Sequence, residues 1–410
     1  MQVVQISSSD FANGGGGAVA AFRLTEGLRQ QSIECNILCG IKTTNLGHTK
    51  AMQRKFRIEV TLEKVAKRLG LNDIHCVSSY LIRQDSFFLD ADVVNFHILH
   101  SGYFSYLYLP GLVDDRPGVM TLHDMWSFTG HCAYSYDCDR WKTGCGKCPY
   151  PEIYPPIARD ATHWEWQLKD WVYRRSNLTV VAPSRWLVDQ AQKSLLNRFE
   201  IHHIPYGIDT EAYQPLTTEL CRRVLGIPEK KRILLFGAAA LADYRKGGDL
   251  LLKALEALPR ALKSELVLLT LGNGGDDIES QIGISTLNLG YVTSDRLKCI
   301  AYSAADLFIF PTRADNLPLV LQESMACGTP MISFDVGGVS DLVRPGVTGY
   351  LALPEDIAGF SQGIVQLLEN HALRQQMSHT CRAIALSEYP LELQAQRYIK
   401  LYQELLKAKT

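Results

Sequence analysis

Short uninterrupted apolar runs recur along the chain, separated by longer stretches in which apolar residues return every three or four positions. In the first half the runs are Val3–Ser7, Ile33–Cys39, Val93–His97, Val119–Leu122, Val180–Ala182 and Ile201–Pro205. In the second they are Ile233–Gly237, Leu266–Leu271, Leu287–Tyr291, Leu307–Pro311, Met331–Phe334 and Gly349–Leu353. A strand with one wet face alternates apolar and polar residues. These runs do not alternate, which predicts strands covered on both faces. Alternation of such strands with helical segments predicts two doubly wound parallel α/β domains. The first set gives way to the second in Ile204-Pro205-Tyr206-Gly207-Ile208-Asp209, where a strand end meets turn residues. The domains are therefore drawn at 1–205 and 206–390, followed by a last helical segment, 391–410.

The composition, 410 residues with 46% hydrophobic, is that of a globular protein with room for two cores. A net charge of −1 gives no field to attract nucleic acid, and no nucleic-acid partner is expected. No apolar run approaches the roughly 20 residues that span a bilayer. The start, Met1-Gln2-Val3-Val4-Gln5-Ile6, reads as a first strand rather than a leader. A cytoplasmic location is expected, with attachment to the inner face of the plasma membrane as its variant. One segment changes that picture. Lys50–Leu69 carries seven Lys and Arg against two Glu, while Ile58, Leu62, Val65 and Leu69 recur at helical spacing. Such a helix either packs its apolar stripe on the domain or docks on a membrane surface.

The strongest candidate chemistry lies between Ala314 and Pro330. Asp315 and Glu323 stand eight residues apart around a predicted helix start, with Pro318 at its first position and Gly328 just past its end. The N–H groups of Leu319, Val320 and Leu321 would then point beside a positive dipole end, a site for phosphate. Carboxylates on either side of it suit hydroxyl groups at both ends of a diphosphate, as in a nucleotide sugar.

Three further places draw attention. Asn13-Gly14-Gly15-Gly16-Gly17 follows the first strand and precedes a helix, Ala18–Arg29, so backbone N–H groups can approach an anion. Val19 interrupts the dinucleotide spacing, and Leu38-Cys39-Gly40 ends the second strand without the acid that holds an adenosine ribose. Gly237 ends the first strand of the second domain, and Arg245-Lys246 follow it in a loop before a helix, cations placed to neutralise a leaving diphosphate. His123 leaves a buried strand of the first domain, where ligands of such sheets bind. His97 and His100, at the end of the preceding strand, either line the acceptor side or are structural, and the structural reading is preferred.

The Asp315–Glu323 segment resembles the donor-binding motif of the retaining family 4 glycosyltransferases, an acid, seven residues and a second acid. Asp315 stands where Glu is usual. The linker from Ile204 to Pro215 resembles that family's as well, with Tyr206 where Asn is commoner. Further matches are Ala182-Pro183-Ser184-Arg185-Trp186, Leu289-Gly290-Tyr291-Val292, Ala305–Pro311 and Phe334-Asp335-Val336-Gly337-Gly338, so the resemblance spans nearly the whole chain. It implies the GT-B fold: two Rossmann-like domains facing each other across a cleft, the first on the acceptor side, the second holding the donor. Helix 391–410 would return to the first domain. It also implies donor binding by Asp315, Asn316, Leu317, Leu319, Val320 and Glu323, with Asp315 on the sugar and Glu323 on the ribose. Gly237, Arg245 and Lys246 would meet the diphosphate, and Gly15, Gly16, Gly17 and His123 would reach the donor from the first domain. Asp315, His123 and Lys246 are the catalytic candidates. Relatives carry an Arg directly after the strand's Gly. Ala238 stands there, so either Arg245 supplies that charge in its place or the charge is absent, while Lys246 matches the family's Lys.

Cys132, Cys138, Cys145 and Cys148 form an island within 131–149. Cys145-Gly146-Lys147-Cys148-Pro149 has the form of a zinc knuckle, and four thiolates in a reducing compartment favour structural zinc. An iron–sulfur cluster or disulfides are the alternatives, and His131 is a substitute ligand. The island resembles an insertion in exopolysaccharide glycosyltransferases of the colanic-acid type. Asp137 and Asp139 flank Cys138 in a loop and are not read as a catalytic metal motif.

The function expected from this sequence is retaining transfer of a sugar from a nucleotide-sugar donor to a glycan or lipid-linked glycan acceptor, with no cofactor required for catalysis. The alternatives are a sugar-nucleotide epimerase or phosphorylase on the same fold, or a non-catalytic metal module.

Overall fold

The structure is a computed structural model that describes residues 1–11, 15–240, 243–273 and 278–409. Its contacts divide the chain into two units: Met1–Gly207 with Leu391–Thr410, and Ile208–Pro390.

The first unit is built on seven strands: β1 (Gln2–Ser9), β2 (Glu34–Ile41), β3 (Thr49–Ala51), β4 (Val93–His97), β5 (Gly118–Thr121), β6 (Leu178–Ala182) and β7 (Ile201–His203). They lie in the order β3-β2-β1-β4-β5-β6-β7, paired in parallel throughout. Helix α1 (Gly15–Gln30) joins β1 to β2, beginning earlier than the expected Ala18. Helix α2 (Phe56–Leu69) follows β3. β3 was not expected, since Thr49-Lys50-Ala51 has no apolar run. It forms because β2 offers a free edge, with Ile37 opposite Thr49 and Cys39 opposite Ala51.

The last helix, Leu391–Lys409, belongs to this unit. Ala395, Tyr398, Leu401 and Tyr402 pack with Val3, Leu24, Leu28, Cys35 and Val93 in one buried cluster. Its tyrosines also satisfy polar groups inside the sheet. Asn95 Nδ2 donates to Tyr402 Oη at 3.0 Å, and Tyr398 Oη lies 3.0 Å from Thr121 Oγ1. Truncating a buried aromatic of this kind costs roughly 3–5 kcal/mol, so the helix is an integral part of the unit.

The second unit has six strands: β8 (Arg232–Ala240), β9 (Leu266–Asn273), β10 (Ser285–Asn288), β11 (Leu307–Phe310), β12 (Met331–Phe334) and β13 (Gly349–Ala352). Their order is β10-β9-β8-β11-β12-β13, again parallel. β8 runs past the expected end at Gly237 to Ala240, with a shift of register in between. β10 lies slightly before the apolar run that suggested it. Helix α3 (Leu319–Ala326) follows β11.

Both sheets reverse their direction of growth beside their first strand, between β1 and β4 and between β8 and β11. In open α/β sheets a ligand sits beyond the carboxyl ends of the strands at that reversal. The loops leaving β1 and β4 in one unit, and β8 and β11 in the other, are therefore the places to look for chemistry.

Candidate active site

In the second unit, the loop after β11 presents Asp315, only 8% exposed. Lys246 Nζ reaches its Oδ2 at 2.5 Å and Arg245 Nη1 at 3.2 Å. The Asn316 N–H donates to its other oxygen at 3.1 Å. Burial alone would raise the Asp315 carboxyl, but Lys246 and Arg245 outweigh it and hold it below its ordinary range. Burial in turn lowers Lys246, against the upward pull of Asp315.

Main-chain fit fixes this arrangement. Gly247 has φ of +71°, and a Cβ there would lie 1.9 Å from the Pro311 carbonyl oxygen. The Arg245 carbonyl accepts the Arg313 N–H at 2.8 Å and Thr312 Oγ1 at 2.9 Å, clipping the cation loop to the loop after β11. From the other side Gly337, φ +55°, approaches so closely that a Cβ would stand 2.0 Å from the Asp315 carbonyl oxygen. The Gly338 N–H donates to that oxygen at 3.1 Å. The Phe334–Gly338 segment thus forms a wall of the Asp315 loop, a role its sequence did not reveal. Gly237 stands apart: a Cβ there meets only ordinary contacts, and nothing demands glycine. Ala238 is a buried strand residue without charge, and the guanidinium beside Asp315 is that of Arg245.

α3 begins one residue later than expected, with Pro318 as its N-cap. The Leu321 N–H is not among the groups left for a ligand: it donates to the Pro318 carbonyl at 3.1 Å. The first turn therefore presents Leu319 and Val320, both partly exposed. The helix closes as expected on Gly328, φ +73°. Gly328 N–H donates to Met325 and Thr329 N–H to Ser324, satisfying the last carbonyls. Glu323 faces inward, 4% exposed, and accepts from Tyr302 Oη at 3.3 Å. Tyr302 had no signal in the sequence, since it lies in the last turn of another helix, Asp295–Ala304. Asn316 and Leu317 are buried beside Asp315.

In the first unit, Gly15 and Gly16 stand exposed at the start of α1. Asn13 and Gly14 lie outside the described residues. Gly17 is where packing needs glycine: a Cβ would come within 2.6 Å of Ile98 Cδ1 and 3.0 Å of His123 Cγ. His123 follows β5 and belongs to a polar row. Its Nδ1 lies 2.7 Å from Tyr206 Oη and its Nε2 2.9 Å from His97 Nδ1, while His97 Nε2 lies 2.6 Å from Gln5 Oε1. Burial pushes His123 down to about 4, with Asp124 pulling the other way, and drives His97 well below its ordinary value. With both rings neutral, one proton pattern satisfies the row. Tyr206 O–H donates to His123, His123 Nε2–H to His97, and His97 Nε2–H to Gln5. Tyr206, the departure noted in the linker, thus occupies a ring nitrogen of His123 and stacks on it with centroids 5.5 Å apart. His100 is held by Asp124, Nε2 to Oδ2 at 2.9 Å.

All four island cysteines are free, half-buried thiols. Cys145 Sγ accepts the Gly130 N–H at 3.2 Å, and Cys148 Sγ lies 3.2 Å from His131 Nε2. Burial pushes Cys132 up to about 12 and Cys145 up to about 11, so both carry protons. Among the described residues, no group of three or more His, Cys, Asp or Glu is assembled to hold a metal ion. The Cys145–Cys148 turn itself is tight, with Cys145, Gly146 and Lys147 all at positive φ.

Comparison with known proteins bears on both units. The family described as Glycosyltransferase Family 4 matches residues 14–212, and that described as Glycosyl transferases group 1 matches 218–383. WcaC of Escherichia coli, named for glycosyl transfer in colanic acid biosynthesis, is 31% identical over 59% of this chain and 59% of its own length. A D-inositol 3-phosphate glycosyltransferase of Catenulispora acidiphila is 31% identical over 42% of this chain and 44% of its own. The chain thus spans about half the length of the curated relatives it matches. Among solved structures, the sucrose-phosphate synthase of Thermosynechococcus elongatus superposes with a TM-score of 0.72 at 18% identity, covering 100% of both chains. Anabaena HepE, solved with UDP and glucose, gives 0.69 at 15% identity over 99% of this chain and 100% of its own. At these identities the likeness is one of fold. With two matching domain families, parallel Rossmann-like sheets and these neighbours, the chain belongs to the GT-B glycosyltransferases, family 4 in its amino-terminal half and group 1 in its carboxy-terminal half.

Proposed function

We propose that the chain is a cytoplasmic retaining glycosyltransferase that moves a sugar from a nucleotide-sugar donor to a glycan or lipid-linked glycan acceptor in polysaccharide synthesis. The observation that carries this reading is the buried Asp315 carboxylate, gripped by Lys246 and Arg245 at the reversal point of the second sheet, with Glu323 on the helix that follows. The names of relatives support it. HepE was solved with UDP-glucose, WcaC is named for colanic acid, and a Corynebacterium relative for a mannosyl transfer to an acylated phosphatidylinositol mannoside.

In this reading Asp315 binds donor-sugar hydroxyls and stabilises positive charge at the anomeric carbon. Asn316 and Leu317 shape the sugar side, and Glu323 binds the ribose hydroxyls. Lys246, Arg245, Gly237 and the Leu319–Val320 turn receive the diphosphate, whose charge grows as the glycosidic bond breaks. A phosphate oxygen takes the acceptor proton on the same face, so no side-chain nucleophile is needed and configuration is retained. His123 and Gly15–Gly17 act from the first unit. His123 is neutral there and its ring nitrogens are taken by Tyr206 and His97, so it carries no charge and meets the donor by a hydrogen bond only if one of those partners is displaced.

The island is proposed to take structural zinc through Cys132, Cys138, Cys145 and Cys148. The free-thiol geometry above does not fit one ion without rearrangement, and no catalytic step depends on it.

The test is a panel of nucleotide sugars, scored by thermal shift and slow hydrolysis to free sugar. A donor at a hundredfold excess over its Kd stabilises by about 2.7 kcal/mol, roughly 5–10 °C for a domain of this size. One hit, lost in Glu323→Ala, is expected. A hit that forms an isomer without acceptor would replace transferase by epimerase. A folded protein silent across the panel would overturn the donor site.

A further inference from the structure

The basic segment around α2 settles on the domain in an unusual way. Its apolar row faces out. Phe56 is 66% exposed, Ile58 53%, Leu62 37%, Val65 52% and Leu69 50%. The side turned to the domain instead carries Glu59, 1% exposed, and Ala66. Glu59 is held by Arg54 at 2.8 Å and by the Ser78 N–H at 2.9 Å. At the other end Gly70, φ +74°, presses so close to the Arg159 carbonyl that a Cβ would lie 2.1 Å from its oxygen. The helix is therefore fixed at both ends with the greasy row outward. The apolar row is not part of the core.

Charge surrounds that row. Arg57, Lys64 and Arg68 each directly precede one of its residues, about 100° round the helix, and all three are exposed. Among the described residues they have no carboxylate partner within ion-pair distance, whereas Lys67 is paired with Glu63 at 2.6 Å and Arg54 with Glu59. In a chain of net charge −1, the surplus cations of this helix form a local exception beside an unpaid apolar surface. An apolar stripe flanked by cations is complementary to an anionic lipid surface, where acyl chains lie just beneath negative headgroups. Among the described residues no helix is long and apolar enough to cross a membrane, so the contact this helix can make is at the surface.

We propose that α2 docks the chain on anionic lipid bilayers, Ile58, Leu62, Val65 and Leu69 entering the headgroup boundary while Arg57, Lys64 and Arg68 meet the phosphates. This does not rest on the glycosyltransferase reading, because lipid binding is measured without donor or acceptor.

The experiment is flotation of the full chain with vesicles of phosphatidylcholine alone or mixed in equal parts with phosphatidylglycerol, at low and high salt. The wild type is expected to float with the anionic vesicles only, and less at high salt. Arg57→Gln, Lys64→Gln and Arg68→Gln together should weaken binding roughly a hundredfold, since each cation near such a surface contributes roughly fivefold. Leu62→Ser with Val65→Ser should weaken it at least about tenfold through lost apolar burial. These positions are exposed, so both variants should melt like the wild type, which is checked alongside. Wild type that stays in solution with anionic vesicles overturns the proposal, as does flotation unchanged in the Leu62/Val65 variant. A dimer in sedimentation that the same serines dissociate, without flotation, would assign the row to a second copy instead.

Discussion

Replacing Asp315 by Asn keeps the shape of the side chain and removes its charge. Lys246, 18% exposed, and Arg245, 29% exposed, then lose a counter-ion at 2.5 and 3.2 Å. Hydrogen bonds to charged groups contribute about 1.5–3 kcal/mol, and partial exposure of the cations lets water recover some of it. A net loss of about 2 kcal/mol is expected, or roughly 4–8 °C in the melting of a unit of this size. The pH dependence has a definite sign. The folded carboxyl lies below its ordinary range, so its stabilisation is present above the unfolded carboxylate value and fades as pH falls through the folded one. The gap between wild type and Asp315→Asn should therefore persist at neutral pH and close only in strong acid. On catalysis, removing a charge aimed at the developing cation should lower kcat by roughly 10²–10³, about 2.7–4 kcal/mol. The fall in kcat should exceed any rise in donor KM, because the charge matters most in the transition state. The assay is initial transfer rate with the donor found by the panel, run beside urea melts. Full turnover in the Asn variant would refute the catalytic role, and an unchanged melt would refute the ion-pair argument.

Other expectations follow from the same geometry. Glu323→Gln should weaken donor binding by roughly tenfold or more, with Tyr302→Phe a smaller effect in the same direction, read by thermal shift across donor concentrations. Gly247→Ala combines an unfavourable φ with overlap on the Pro311 carbonyl and should destabilise by more than about 1 kcal/mol; a melt equal to wild type would contradict the close approach. His123 and His97 are held neutral, with His123 near 4 against an ordinary 6.5, so stability should fall as pH drops from about 6.5 toward 4, and fall less in His123→Gln, where buried His97 alone still contributes. That His123 contribution is at most about 3 kcal/mol before allowance for its partial exposure, and a urea midpoint flat across the window would dismiss it. Metal analysis of protein purified without chelator should find about one zinc per chain, lost in Cys138→Ser, and absence of metal from the wild type would remove the zinc proposal.

The apolar runs carried most of the two parallel sheets, because burying both faces of a strand leaves a mark that local sequence can show. β3 left none, since an edge strand of Thr, Lys and Ala is held by the neighbour it pairs with and not by its own burial. The acids of the Asp315–Glu323 segment and the Gly328 helix stop were likewise legible, being neighbours in the chain. What the sequence could not determine is which distant groups meet. Lys246 reaches Asp315 across 69 positions only because the sheet order sets β8 beside β11. Gly337 bears on the Asp315 backbone because β12 lies next in that order, and Tyr206 finds His123 through the fold of the first unit. The same limit governs α2. Its 3.6-residue periodicity is identical whether the stripe faces a core or faces water, and tertiary packing alone turned Glu59 inward and the apolar row out.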